Sequence, residues 1–460
     1  MKRKAPEQAC RWGETLASTA VLNSKANGGD RLKKGGLAFL CLSAFYVVYC
    51  GRPEDWFHGM GLVPWAKVTG AAAVLAFLLG PQKDRRKFRD LPVEAHLLLA
   101  LIVILGFSSL FSPIWKGGAL RITSDFAKVW VIWALTFLLV TDLRKFRRIV
   151  FIQAVSVVLV CVLSIVKGRH HERLEGVLGG IYSNSNDLAF AIALSIPLCF
   201  LFLLTTKSRF RKLLWAGGLL VMCAALFLTA SRAGFITLIF TAGIALWHFG
   251  VKGKRFYLIV VSGISAMVLL MVAGETMQER FIATWSEKSE LQTREQYRAL
   301  SSFEERQFLI DRALEGLKEY PILGMGPKNF EVYSGVWLEV HMAYLQIAVE
   351  GGIPSLILFL LFFYCGFRNL RKLMRRKDLN PEIKLFTGAL QSLLVGFVVG
   401  ALFAPEAYQF FPFFAVGYTS VLLACVREAD RANTARKPVN QQFAQLISPV
   451  QANVRVPVNT

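Results

Sequence analysis

Charged residues are scarce in this sequence of 460 residues, and acidic residues are scarcer than basic ones. Asp, Glu, Lys and Arg together make up 18% of the chain, whereas 54% of it is hydrophobic. Soluble globular proteins carry about 25% charged residues. With a mean hydropathy of +0.46, the composition excludes an ordinary soluble enzyme and indicates a membrane protein.

The cysteines also lack the pairing that metal sites and disulfide frameworks need. There is no Cys-x-x-Cys pair, and all of the eight cysteines except Cys10 lie within or at the ends of apolar runs. A disulfide framework or a zinc site is therefore not expected. Glu54, Asp55 and His58 could bind a metal, but no further ligands converge on them in the sequence, which favours a short solvated loop. We expect no metal and no cofactor.

The net charge of +22 raises the question of nucleic acid binding. The basic residues, however, lie in short groups between hydrophobic segments, where they set the orientation of a membrane protein. We therefore expect a lipid bilayer as partner and no nucleic acid. The first apolar run begins near Gly36, too late for a cleavable signal peptide, so residues 1–34 are predicted to be a retained, disordered cytoplasmic tail.

The predicted fold is an all-α polytopic membrane protein with about 12 transmembrane helices, since most of its apolar runs are near the ~20 residues that span a bilayer. The runs lie at residues 36–50, 62–80, 91–112, 122–140, 149–166, 185–206, 213–230, 233–250, 256–274, 341–364, 385–404 and 410–426. Their connections alternate in basic content, as the positive-inside rule requires, which predicts that both termini are cytoplasmic. The chain then divides into helices 1–9 (35–274), a periplasmic loop carrying short helices (275–340), helices 10–12 (341–426) and a cytoplasmic tail (427–460).

The loop at 275–340 is the one long polar interruption in the interior of the sequence. Ser302 and Glu305 have the spacing of a capping box, which predicts that Arg306 lies in the first turn of a helix ended by Pro321. An apolar face with helical spacing is formed by Phe303, Ile310, Leu314 and Leu317. We interpret this segment as a lid over a membrane active site. Because there is no ATP outside the cytoplasm, chemistry there requires an already activated substrate.

Three residues on the predicted outer side are candidates for chemistry, each with a simpler alternative. Arg232, in the tight turn between the seventh and eighth spans, either snorkels at a helix end or binds an anion, since arginine matches phosphate bidentately. Arg306 is either a solvated charge on an amphipathic helix or a second anion ligand. His341, at the mouth of the tenth span, is either structural or catalytic.

Further polar residues occur at or inside the spans. Asn184 and Asn186 open the sixth span; an N-cap explains one of them, and together they suggest a cavity that binds substrate. Asp125 and Lys128 are three residues apart in the fourth span and form a candidate pair facing the bundle interior, either structural or functional. Spans 5 and 7–9 hold almost no ionisable residues, which disfavours a proton relay and hence a transporter.

Residues 90–425 resemble the O-antigen ligase and polymerase family, because five motifs occur in that family's order and spacing. They are Ser183-Asn-Ser-Asn-Asp-Leu-Ala189, Thr229-Ala-Ser-Arg-Ala-Gly234, Arg306 fifteen residues before Pro321, Gly324-Met-Gly326, and His341 followed by Glu350-Gly-Gly352. The sequence departs from the family pattern at Met342, where many members carry Asn, and at Ala233, where Gly often follows the arginine.

The resemblance implies a membrane glycosyltransferase that works at the periplasmic face of the inner membrane. It implies a donor glycan linked to a polyprenyl diphosphate and an acceptor sugar hydroxyl, on lipid A-core for a ligase or on another glycan for a polymerase. Arg232 and Arg306 would then stabilise the diphosphate leaving group, and His341 would be the base. No Asp-x-Asp pair occurs in the large loop, so we expect an inverting, metal-independent transfer. The remaining alternatives are a small-anion transporter and a non-catalytic component of glycan export.

Overall fold

The computed structural model describes residues 36–57, 59–81, 85–167, 173–176, 182, 184–273, 279 and 293–447. The predicted tail at 1–34, His58, Ser183 and most of the loop before residue 293 lie outside these ranges. The described residues form α-helices, short 3₁₀ turns and one π-helical turn, with no strand among them.

The described residues form fourteen α-helices. Each of the twelve predicted apolar runs has its own helix, which begins within the run or a few residues before it. The fourteen helices are α1 Leu37–Gly51, α2 Trp65–Leu79, α3 Val93–Leu110, α4 Lys116–Leu139, α5 Leu143–Lys167, α6 Ser185–Thr205, α7 Arg209–Leu228, α8 Arg232–Leu246, α9 Tyr257–Ala273, α10 Arg294–Glu319, α11 Phe330–Tyr333, α12 Ala343–Met374, α13 Pro381–Gly400 and α14 Phe410–Ile447.

Nine helical segments among the described residues are long and apolar enough to cross a membrane, and α1, α2 and α9 are shorter apolar helices. The prediction of an all-α polytopic membrane protein is thus confirmed. The last helix continues well beyond the predicted end of the span at residue 426, to Ile447. In α6 and α14, 78% and 83% of the spanning residues are buried inside the protein, so these two helices form the centre of the bundle.

Helices α8 and α13 run antiparallel and pack closely because α13 presents glycines to α8. A Cβ atom at Gly400 would come within 2.7 Å of the Thr237 hydroxyl oxygen, near the start of α8. At the other end of the pair, a Cβ atom at Gly388 would come within 2.9 Å of the His248 Cβ atom. The beginning of α8, with Arg232, therefore lies at the same end of the bundle as the end of α13.

Helix α12 begins at that same end. The Ala343 amide donates to the Ala401 carbonyl at 2.8 Å, and the Tyr344 hydroxyl donates to the Val398 carbonyl at 2.8 Å. His341, two residues before α12, is therefore at the end of the bundle where α8 begins. We call this the lid end, and we call the end where α8 and α12 finish and α13 begins the far end.

The lid, residues 293–340, contains one long helix rather than only short ones. Helix α10 begins nine residues earlier than predicted, at Arg294, because Thr293 and Gln296 form a reciprocal capping box there. The capping box predicted at Ser302 is therefore wrong, and Arg306 lies in the middle of α10 instead of in its first turn. The helix ends at Glu319, before Pro321, as predicted.

The buried face of α10 is only partly the predicted one. Leu309 and Ala313 are fully buried, and Leu317 packs beside them against a small core with Val349 of α12 and Phe330 of α11. The other three residues of the predicted face are exposed, which corrects the prediction: Phe303, Ile310 and Leu314. They form a second apolar stripe, roughly 100° around the helix from the buried one, that the protein leaves uncovered.

The end of the lid helix is fixed to α12 by contacts between backbones. The amides of Met325 and Gly326 donate to the carbonyls of Val349 and Glu350 at 3.0 and 2.9 Å. Gly352 breaks the helical geometry of α12 with φ 79° and ψ 170°, a conformation that is essentially restricted to glycine. The Gly-Met-Gly and Glu-Gly-Gly motifs therefore meet in space.

Glycine is required on both sides of this contact because the two backbones leave no room for a side chain. A Cβ atom at Gly324, which has φ 68°, would lie 2.4 Å from the Glu350 carbonyl carbon. A Cβ atom at Gly352 would lie 2.0 Å from the Ile322 carbonyl oxygen. The Asn329 side chain adds a link to the end of α3 by donating to the Ser112 hydroxyl at 2.7 Å.

We predict that Gly352→Ala releases the lid from α12. The substitution combines an unfavourable backbone conformation, worth about 1–3 kcal/mol, with a clash against Ile322. The expected result is faster proteolysis within residues 293–340 and a lower Tm of the purified protein. Gly243→Ala is the control, because a Cβ atom there has no neighbour within 4 Å. Equal proteolysis of wild type and Gly352→Ala would contradict this account of the lid.

Candidate active site

His341 lies half-buried at the lid end, in the short connection between the lid and α12. Its Nδ1 atom is 3.0 Å from the backbone carbonyl of Glu339. A carbonyl oxygen can only accept a hydrogen bond, so Nδ1 carries the proton in this arrangement. In the neutral ring, Nε2 then holds the lone pair. The backbone of the connection thus selects the tautomer in which the outer nitrogen can accept a proton.

Arg306, on the lid helix, is close enough to His341 for its charge to act on the histidine ring. It lies three residues before Leu309 and seven before Ala313, so it is on the buried side of α10. Burial lowers the pKa of His341 below its usual value of 6.5, and the positive charge of Arg306 lowers the pKa further. Both effects disfavour the protonated ring, so His341 is neutral at pH 7. The structure thus brings together the two predicted site residues Arg306 and His341.

A partly buried ionic network supports the connection that carries His341. The Lys328 ammonium group contacts the carboxylates of Glu331 and Glu339, and the Gln346 amide donates to Glu339 at 3.0 Å. Gln346 is itself fully buried and accepts from the Ala407 amide at 3.3 Å. Burial raises the pKa of Glu339 despite the opposing charge of Lys328. Burial alone would lower the pKa of Lys328, but the two glutamates raise it.

Arg232 is the first residue of α8, directly after the residue that caps the helix. The Ser231 hydroxyl accepts from the Gly234 amide at 3.2 Å and donates to Asn186 at 2.8 Å. Arg173 donates to the same Asn186 oxygen at 3.0 Å. Asn186 therefore connects the turn that holds Arg232 to the start of α6. The position at a helix N-terminus adds the partial positive charge of the backbone to that of the guanidinium group.

The other polar residues singled out in the sequence have local partners. Asn184 is the N-cap of α6 and accepts from the amides of Asn186 and Asp187, both at 2.9 Å. Lys128 does form an ion pair with Asp125, but the two side chains are 47% and 50% exposed. The prediction that this pair faces the bundle interior is therefore wrong: α4 turns these residues outward.

The acidic pair in the first loop also has a partner within the loop. Arg52 donates to the Asp55 carboxylate at 2.6 and 2.9 Å and lies 3.7 Å from Glu54. Within the described part of that loop, both carboxylates therefore pair with Arg52.

Several residues at the lid end were missed in the sequence. Glu406 is 6% exposed, and burial together with the charges of Asp187 and Glu339 raises its pKa well above the usual value. The sequence feature that could have identified Glu406 is an isolated carboxylate between two apolar runs. For Lys328 and Gln346 there was no comparable signal, because their positions depend on how the lid folds back on α12.

Together these features define a multi-pass helical membrane protein with a polar site beneath a lid helix at one end of the bundle. A model of the O-antigen ligase family matches residues 217–360 of the chain, from α7 to the middle of α12. The matched segment contains Arg232, Arg306 and His341, whereas Lys128, Asn184 and Asn186 lie outside it. None of the curated proteins matches the chain.

The family match confirms the resemblance found in the sequence motifs. It supports a role in the transfer or polymerisation of glycans at a membrane.

We predict that Arg306→Gln raises the pKa of His341 towards 6.5. The positive charge of Arg306 disfavours protonation of the His341 ring. Without that charge, the ring protonates at a higher pH. The measurement is a pH titration of the histidine ring resonances in selectively labelled protein, with His341→Gln used for assignment. Arg312→Gln is the matched control, because Arg312 contacts Glu315, the Tyr333 carbonyl and the Tyr333 ring. A His341 pKa that moves equally in both variants would contradict the assigned pairing.

Proposed function

We propose that the protein is a membrane glycosyltransferase that moves a glycan from a polyprenyl diphosphate to a sugar hydroxyl. The observation that carries this proposal is the geometry of His341. Its Nδ1 is held by the Glu339 carbonyl, its Nε2 is the basic nitrogen, and the Arg306 charge helps to keep the ring neutral. A neutral imidazole with a fixed tautomer beside an arginine suits deprotonation of a hydroxyl next to a phosphate leaving group.

The proposed reaction is a single inverting displacement. Nε2 of His341 takes the proton from the acceptor hydroxyl, and the hydroxyl oxygen forms a bond to the anomeric carbon of the donor. The bond between that carbon and the diphosphate oxygen breaks, and the electron pair leaves with the polyprenyl diphosphate. The protonated histidine then returns its proton to the diphosphate or to water. The reaction uses no nucleotide because the donor is already activated.

The two arginines are assigned to the diphosphate. Negative charge grows on the leaving oxygen as the bond breaks, and a guanidinium group can bind phosphate oxygens bidentately. Arg306 approaches from the lid and Arg232 from the N-terminus of α8, where the helix dipole has the same sign. Fixed cations in a site partly closed to water stabilise such developing charge more than solvent does.

The exposed apolar stripe of α10 fits a lipid-linked donor. Phe303, Ile310 and Leu314 are 47%, 37% and 44% exposed, on a helix whose other side is held against the protein core. A helix of this kind lies in the membrane interface with its apolar side in contact with lipid. We assign this stripe to the bilayer and to the first units of the polyprenyl chain, which would place the diphosphate beside Arg306.

The same chemistry serves a ligase and a polymerase, and the acceptor distinguishes the two. The ligase is our first choice, since the family whose model matches is the O-antigen ligase family. We place the reaction at the periplasmic face of the inner membrane, where the charge pattern of the connections puts the lid. Asn184, Asn186 and Lys128 remain proposed contacts of the glycan part of the substrate.

We predict that transfer of glycan by purified protein in liposomes requires His341, Arg306 and Arg232. His341→Gln keeps hydrogen-bonding capacity but not basicity, and it should lower turnover far more than donor binding. Arg306→Ala and Arg232→Ala should each lower the rate by roughly 100- to 1,000-fold, as the loss of one charge-stabilising donor does. Lysine should restore activity only in part, because a point charge cannot bind bidentately.

The controls separate this proposal from its alternatives. Arg312→Ala removes an arginine from the same helix and should retain most of the activity. Lipid A-core and a second lipid-linked glycan, offered separately as acceptors, distinguish a ligase from a polymerase. Full turnover in His341→Gln would remove the histidine from the mechanism, and an absence of transfer to either acceptor by the wild type would overturn the proposed function.

We predict that the lid is periplasmic. Ser301 is exposed on α10, so Ser301→Cys in a cysteine-free background should react with a membrane-impermeant maleimide in intact spheroplasts. Lys207→Cys, in the exposed connection between α6 and α7, should react only after permeabilisation. The reverse pattern would place the site in the cytoplasm and contradict the charge-based orientation.

A further inference from the structure

A cavity lined by basic residues lies at the far end of the bundle, away from the candidate active site. It has a volume of about 310 Å³ and is bounded by the end of α8, the end of α12 and the start of α13. Its apolar lining includes Phe249, Leu373 and Leu385. The charged or ionisable residues that line it are His248, Lys252, Arg255, Arg376 and Lys384, and no Asp or Glu is among the described residues of the lining.

The first wall is a turn that places two cations together. Helix α8 ends in a π-helical turn, Trp247–Val251, and π-turns occur frequently at functional sites. The Lys252 amide donates to the Trp247 carbonyl at 2.9 Å, and the Arg255 amide donates to the Gly250 carbonyl at 2.7 Å. The chain therefore reverses within a few residues, and both Lys252 and Arg255 line the cavity.

Glycine permits this reversal. A Cβ atom at Gly253 would lie 2.2 Å from the Phe249 carbonyl oxygen, so only glycine fits there without a shift of the backbone. Lys254 follows with φ 55°, a left-handed conformation that costs energy for a residue with a side chain. The turn keeps this unfavourable backbone conformation, and it places Lys252 and Arg255 in the lining of the same cavity.

The second wall adds two cations, Arg376 and Lys384. Arg376 is held by the carboxylates of Asp378 and Asp430, which fixes its position in the lining. Lys384, by contrast, lies in the first turn of α13, whose N-terminus begins at Pro381. A positive side chain there opposes the helix dipole, which favours anions at this position. A bound anion would relieve that repulsion.

The cavity lies at the depth of a membrane interface. Three aromatic side chains beside its basic turn are exposed: Trp247 at 51%, Phe256 at 60% and Tyr257 at 60%. Exposed aromatic residues at the ends of membrane spans mark the level of the lipid headgroups. Along α8, Ile239 and Phe240 are also exposed and offer an apolar surface that continues from this level into the bilayer.

We propose that this cavity binds the phosphate headgroup of an anionic phospholipid. Lys252, Arg255 and Lys384 supply the charge, the N-terminus of α13 supplies backbone polarity, and the apolar lining takes the glycerol and the beginning of an acyl chain. Basic pockets between membrane helices bind anionic headgroups by this chemistry. A lipid fits better than a free phosphate ion because the site has apolar walls at interface depth. The proposal does not depend on the function proposed for the lid end.

The test measures phospholipid bound to the purified full-length protein. Wild type, extracted in mild detergent, should retain phosphatidylglycerol by mass spectrometry, and vesicles of phosphatidylglycerol should raise its Tm more than vesicles of phosphatidylcholine. The double variant Lys252→Gln/Arg255→Gln should lose the retained lipid and most of the Tm shift. Lys207→Gln/Arg209→Gln is the matched control, since it removes the same charge from exposed positions at the far end outside the cavity.

Each of the following outcomes would overturn the proposal. Equal losses in the two double variants would indicate diffuse attraction to the surface rather than a site. An equal Tm shift from inorganic phosphate would indicate a free-anion site, and equal shifts from the two lipids would indicate no preference for the headgroup. If Lys252→Gln/Arg255→Gln does not fold, Lys384→Gln takes its place, because Lys384 is exposed and its Nζ atom is bound only to the Lys377 carbonyl among described residues.

Discussion

The candidate active site depends on one contact between two stretches of backbone, 320–326 and 349–353. Both stretches use glycine in conformations that a side chain would prevent, and the hydrogen bonds between them join the end of the lid helix to the break in α12. Arg306 belongs to the lid, and His341 belongs to the connection that follows it. Their electrostatic coupling therefore depends on this backbone contact, which helps to hold the lid in place.

Much of the fold could be predicted from the sequence because the membrane imposes a simple rule. A span needs about 20 apolar residues, and its backbone must be helical, so the twelve apolar runs correspond to helices in the structure. The lid follows no such rule. Thr293 and Ser302 both precede a residue suited to a capping box, and only the fold shows that the helix begins at the first of them.

Side-chain direction was the least predictable part of the site. Periodicity identifies an apolar helix face, but α10 has two neighbouring apolar stripes, and the sequence does not say which one meets α12. The stripe with Leu309 is buried, and the stripe with Leu314 is exposed. The same limit applies to Lys128, because charges spaced three apart pair equally well on an inward or an outward face. Gln346, which binds the Glu339 carboxylate, is in turn held by the Ala407 amide, and this last contact joins segments that are distant in the chain.

The order of synthesis gives the backbone contact a further consequence. Chains emerge from the ribosome N-terminus first, so residues 293–340 leave the ribosome before the Glu350-Gly-Gly352 segment that anchors them. During that interval Arg306 has no fixed position relative to α12. The assembled site therefore appears only after α12 has inserted. An incomplete chain that stops before that helix carries the lid arginine but cannot hold it over a substrate.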